Sequence, residues 1–198
     1  MGRFVTAYVL DLDRLHSAIG SGDEELQHSV EAHCADEIAR DHEYFESYPR
    51  PILSLTDALR ALFAGGPFDT EYSYRYNTAY ELVCKALSVW SNSHGPYRSD
   101  DWLAEVDDGF RSMGISSIGF AAFEEPYLPS GLPYMEYGGY GEWDHDSCAE
   151  ASESRTAEAI ERYEELNDEV REWIAVGLDI ADEAASWAGY GVAGFFNI

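Results

Sequence analysis

Phe4-Val5-Thr6-Ala7-Tyr8-Val9-Leu10 decides the fold class of this 198-residue chain. β-Branched and aromatic residues dominate the run, and Asp11 and Asp13 close it, so it reads as a buried strand. It is too short for a signal-peptide core or a membrane span. The sequence beyond it is periodic at helical spacing. Asp11 caps a short helix to Ile19 that Gly20 stops. Asp23 opens a longer one, with Leu26, Val30, Cys34 and Ile38 on one face, and Tyr48-Pro49-Arg50-Pro51 breaks it. Ser54 with Asp57 begins a helix that turns Leu55, Leu59, Leu62 and Phe63 inward and ends at Gly65-Gly66-Pro67. The stripe Tyr76, Tyr80, Val83, Leu87 and Trp90 predicts a further helix reaching toward His94-Gly95-Pro96. Ser99 or Asp100 caps the next, with Trp102, Val106, Phe110 and Met113 inward.

The second half changes character. Ile115 to Phe123 reads as a strand. Residues 124–147 carry Pro126, Pro129 and Pro133, several glycines, and Tyr127, Tyr134, Tyr137, Tyr140 and Trp143. A Gly/Pro-rich aromatic loop of this length is characteristically functional or disordered. Acidic helical sequence follows to about Trp187, broken near Asn167-Asp168, with Ile160, Tyr163, Val170, Trp173, Ile174 and Leu178 inward. Val192 to Ile198 reads as a last strand. The expectation is an α+β fold: one helix-dominated domain over 1–198, its small sheet built from the terminal strands and a strand near 115–123.

Charge sets the functional bounds. The chain holds 38 Asp and Glu against 12 Lys and Arg, a formal net charge of −26. Between Glu142 and Glu183 there are 15 acidic and 3 basic side chains. Such a surface repels nucleic acid and anionic membrane and attracts basic surfaces. A hydrophobic fraction of 45%, with 5 Trp, 14 Tyr and 9 Phe, argues for a packed core rather than disorder. Arginine outnumbers lysine, whose one representative is Lys85, and salt adaptation is a competing account of the acidity. Cys34, Cys84 and Cys148 form no CxxC pair, so a reducing cytoplasm is expected and the thiols read as structural.

Two clusters invite chemistry. His28, Glu31, His33, Cys34 and Glu37 share one expected helix at metal-compatible spacings, and equally suit a solvated face. Trp143-Asp144-His145-Asp146 reads either as a helix cap with an acidic first turn or as a cation or acid–base site. His94 has no nucleophile elbow to serve, and no phosphate-cradling glycine motif occurs, so no cofactor is expected.

The opening Ala7-Tyr8-Val9-Leu10-Asp11-Leu12-Asp13-Arg14-Leu15 and Ile19-Gly20-Ser21-Gly22-Asp23, with Tyr76 to Leu87 and Glu169 to Trp173, resemble a family of uncharacterised, acidic actinobacterial proteins. Members of that family commonly close near Phe-Tyr-His. Here the corresponding segment is Phe195-Phe196-Asn197-Ile198, without the histidine. The resemblance brings no catalytic motif.

These readings converge on a cytoplasmic binding protein that engages a basic protein partner, in its most concrete form an immunity or antitoxin-type inhibitor of a basic toxin. Tyr134, Tyr137, Tyr140 and Trp143 are the expected anchors, and Glu142, Asp144 and Asp146 the charged rim. The alternatives are an enzyme using Asp144, His145 or His94 for proton transfer beneath the loop, and a salt-adapted protein with no charge-specific partner.

Overall fold

The computed structural model describes residues 3–50, 52–97, 101–126, 128–129, 131–134 and 138–197. In chain order its elements are β1 (Arg3–Asp11), α1 (Leu12–Ala18), α2 (Glu24–His33), α3 (Ala35–Glu46), α4 (Leu55–Ala64), α5 (Ser73–Leu87), β2 (Trp90–Tyr97), α6 (Trp102–Ser112), β3 (Gly139–Trp143), α7 (His145–Glu153), α8 (Ala157–Glu165), α9 (Asp168–Ala185) and β4 (Tyr190–Asn197). The fold is α+β: helices predominate, and among the described residues four strands pair into an antiparallel sheet of order β2-β1-β4-β3. The chain groups into two compact units. One comprises Met1–Leu12, Val89–Glu125 and Gly138–Ile198, the other Asp13–Ser88 and Pro126–Tyr137.

The first unit holds the sheet. β1 and β4 pair from Phe4↔Asn197 to Asp11↔Tyr190, so the two terminal strands form the middle of the sheet. Val5, Ala7 and Val9 alternate along β1 and pack with Val192 into a core completed by α6, α7 and α9. Aromatic rings fill that core. Phe123 stacks on Trp143 at 4.8 Å, and Phe120 meets Trp143 and Trp173 edge-on at 5.4 and 5.5 Å.

Three local expectations are corrected. The stripe beginning at Tyr76 ends at Leu87, and Trp90 belongs to a strand. Ser88 is extended (ψ 145°), and the Val89 N–H donates to the Val9 carbonyl, which draws the chain onto the edge of β1. Trp90 is consequently half-buried, whereas Trp102 and Trp173 are buried. Second, the segment near 115–123 is no strand. The Asp107 carboxylate accepts from the N–H groups of Phe120 and Ala121 at 2.7 and 3.0 Å and winds Phe120–Glu124 into a 3-10 turn. Third, residues 139–143, expected within a loop, form β3 against β4.

β3 exists because the turn at 120–124 can approach it closely. Gly141 and Gly194 face one another in register. A side chain on Gly141 would meet the Ala122 carbonyl, and one on Gly194 would enter the Phe123 ring. Glycine at both positions leaves room for Phe123 to reach Trp143.

The second unit is helical. α4 follows the expected pattern from its Ser54 cap, which accepts the Asp57 N–H at 3.0 Å, to Gly65. The predicted helix over Leu26–Ile38 divides at Cys34 into α2 and α3. α3 and α5 are tied by a bidentate ion pair of buried Arg75 with Asp41, and Arg75 Nε also donates to the Leu53 carbonyl at 2.7 Å. All three cysteines are buried and none is in a disulfide, and burial pushes the Cys148 thiol up to about 12.

Gly194→Ala is expected to destabilise the fold by about 1–3 kcal/mol, because the new methyl must displace the Phe123 ring. Urea unfolding measures this against Ser91→Ala on the exposed side of β2. Equal midpoints for the two variants would refute the close approach.

Candidate functional site

The expected site residues are not all at the surface. Tyr134 is 55% exposed and belongs to the second unit, and Tyr137 lies outside the described residues. Tyr140 and Trp143 are 4% and 3% exposed, so their rings are not available as surface anchors. The reason is the alternation of β3. Tyr140 points to one face of the sheet, where it meets Phe195 edge-on at 5.1 Å. Trp143 lies in the core and donates from Nε1 to the Gly119 carbonyl at 3.0 Å. Glu142 is half-buried and accepts the Tyr140 hydroxyl.

Asp144 and Asp146 do stay at the surface, as part of a helix start. Asp144 is the N-cap of α7 and accepts the Ser147 N–H at 2.7 Å. The Ser147 side chain and then its N–H hold the Asp144 carboxyl below its ordinary range. His145 faces the Tyr190 carbonyl through Nδ1 at 3.1 Å. The Asp144–His145–Asp146 cluster is thus a capped first turn.

On α2, His28 and His33 are exposed. Glu31 accepts from Gln27, Glu37 is bonded by Lys85, and Cys34 Sγ lies 3.7 Å from the Leu82 carbonyl. Among the described residues no group of three or more His, Cys, Asp or Glu side chains is placed to hold a metal ion.

The feature that stands out is the outer face of α7–α9. Glu150, Glu153, Glu158, Glu161, Glu164, Glu165, Asp168, Glu169, Glu172 and Asp179 are all exposed along these three helices. Its three arginines are engaged internally: Arg155 with Asp182, Arg162 with Glu165 at 3.3 Å, and Arg171 with Asp168. α9 shows how one helix serves core and face together. Val170, Trp173, Ile174, Gly177 and Ile180 are buried, and the acids take the opposite side.

Two concavities border this face. One of about 200 Å3 is apolar, lined by Met113, Ala159, Ile160, Tyr163, Ala175 and Leu178, with Arg155 and Asp179 beside them. Ile160, expected inside, is 53% exposed on its wall, because the inward position on α8 is taken by Ala159. The other, of about 170 Å3, is lined by His94, Gly95, Pro96, Trp102, Glu169, Glu172 and Trp173. His94 Nε2 sits 3.9 Å from Glu172 Oε1, and burial holds the imidazole below its usual range, favouring the neutral ring. Sequence reasoning missed this cleft because its walls come from three separate segments.

A family model spans residues 1–197. The chain belongs to the family described as a domain of unknown function, DUF7691. No curated protein and no solved structure matches it. The DUF7691 assignment therefore covers the whole architecture and carries no activity with it. Among the described residues no helix is long and apolar enough to cross a membrane.

Asp144→Ala is expected to cost about 1 kcal/mol at neutral pH through loss of the cap. The folded-state pKa of Asp144 is lowered, so its contribution is present above the unfolded value of about 3.9 and is lost as the pH falls through the folded value. The gap between variant and parent, read by denaturant titration at several pH values, should narrow on acidification. A gap that widens in acid would contradict the cap.

Proposed function

We propose that this chain is an acidic binding protein that engages a basic protein partner through the outer face of α7–α9. One observation carries the reading. Over residues 142–183 there are 15 acidic and 3 basic side chains, and each of the three arginines is already paired within the protein. The segment as a whole carries a net charge of −12. Uniform repulsion of this kind destabilises a fold rather than helping it, and opposite charge on a partner relieves it. Asp144 and Asp146 extend the charged rim at the start of α7.

Anchoring falls to the concavities rather than to an aromatic loop. The apolar groove at Ile160, Tyr163 and Leu178 offers a seat for one hydrophobic side chain, with Asp179 and Arg155 beside it. An immunity or antitoxin-type inhibitor in the cytoplasm is the most concrete form of this role, since blocking a basic toxin requires charge and fit and no catalytic group. Nucleic acid and anionic membrane are unsuited as partners on the same electrostatic grounds.

The test uses the partner recovered on the immobilised chain and then purified. Its association rate should fall steeply as salt rises, because the screening length shortens from about 30 Å at 0.01 M to about 8 Å at 0.15 M. Its dissociation rate should change less. Ile160→Asp should act mainly on dissociation. A partner of acidic or neutral surface, or an association rate indifferent to salt, would overturn the reading.

A further inference from the structure

An apolar cavity of about 440 Å3 lies within the second unit, between the last turns of α3, residues 48–50 and 52–54, and the start of α4. Ile38, Phe45, Ile52 and Leu53 line it and are half-buried, so part of each side chain is open to a guest. Its volume falls within the range of small-molecule sites, roughly 300–1,000 Å3.

The walls are held from behind by a buried charge. Arg75 donates from Nη1 and Nη2 to the two carboxylate oxygens of Asp41 and from Nε to the Leu53 carbonyl, and its guanidinium lies 4.8 Å from the centroid of the Phe45 ring. Asp41, Phe45 and Leu53 all line the cavity. Burying a guanidinium is costly unless its bonds repay the lost hydration. Here those bonds fix three walls in place, and walls set in advance spare a ligand the cost of ordering them. Arg75 is a positioning residue that also neutralises Asp41.

The mouth carries charge of both signs. Glu46 and Arg50 line the same cavity, are exposed, and make no hydrogen bond or ion pair among the described residues. This departs from the habit of the chain. Arg40, Arg60, Arg111, Arg162 and Arg171 each pair with an acid three residues away. α3 ends at Glu46, so Arg50 lies beyond the helical spacing that brings such pairs together.

We propose that this cavity binds a free α-amino acid with a large apolar side chain. The side chain enters between Ile38, Phe45, Ile52 and Leu53, Arg50 takes the carboxylate, and Glu46 takes the ammonium. A plain carboxylate would meet Glu46 and the field of a chain of net charge −26. A plain ammonium would leave Arg50 unanswered. A zwitterion is neutral overall and satisfies both groups. The site belongs to the second unit and stands or falls independently of the α7–α9 reading.

The experiment is a titration of the full-length protein with L-phenylalanine, followed by calorimetry and by the methyl NMR signals of Ile38 and Ile52, which Ile38→Val and Ile52→Val assign. Saturable shifts of both signals are expected. Glycine has the same two charges without the apolar body and should leave them unmoved. N-acetyl-phenylalanine lacks the ammonium and phenylalaninamide the carboxylate, and each should bind roughly tenfold more weakly than phenylalanine. The exposed substitutions separate the two contacts. In Arg50→Gln the amide and the free amino acid should bind alike, and in Glu46→Gln the acetylated and free forms should. Shifts confined to other isoleucines, no saturable response, or a response to glycine equal to that of phenylalanine would overturn the site. Blocked forms that bind the parent as tightly as phenylalanine, or variants that still discriminate as the parent does, would overturn the two charge contacts and with them the proposal.

Discussion

The antiparallel pairing of β1 with β4 is the constraint on which the rest of the first unit depends. It joins the two ends of the chain at the centre of the sheet, and both β2 and β3 are edge additions to it. Its inward residues Val5, Ala7, Val9 and Val192 supply the floor on which α6, α7 and α9 pack. Once α9 is seated by Trp173, Ile174 and Gly177, its opposite side can carry only solvated groups. The acidic face is thus positioned by the core without contributing to it.

Gly141 and Gly194 extend the same logic to the far edge. Their lack of side chains lets the turn at 120–124 close over β3, and that closure buries Trp143 and fixes the start of α7 at Asp144. Asp107 completes the arrangement by holding the amides of Phe120 and Ala121. Burial raises the Asp107 carboxyl above its ordinary range, and the two N–H bonds it accepts offset that only in part. A buried carboxylate and a glycine-lined approach are therefore the local conflicts the sheet and its aromatic core sustain.

Much of this was legible in the sequence. The first strand, the pairing of the terminal strands, and α4 from Ser54 to Gly65 follow from β-branched runs, caps and stops. β2 was hidden because its inward residues Trp90, Asn92 and His94 are largely polar, so period-two alternation leaves no hydrophobic signal. Trp90 also happens to continue the α5 stripe. β3 was hidden by its glycines, whose purpose appears only with Phe123 in place. At the candidate site the acidic face was visible from composition. The rest was not: the rings of Tyr140 and Trp143 serve the interior, and the concavity at His94 assembles residues from positions 94–96, 102 and 169–173 that no local pattern connects.

The account holds that the carboxylates of α7–α9 are surplus to folding and serve recognition. Replacing Glu158, Glu161 and Glu164 of α8 by glutamine, and measuring affinity for the basic partner beside the thermal midpoint, tests this most directly. The account predicts affinity lower by about tenfold or more at low salt, with a midpoint unchanged or raised as repulsion is relieved. A lowered midpoint with affinity retained would place these charges in the service of the fold and contradict it.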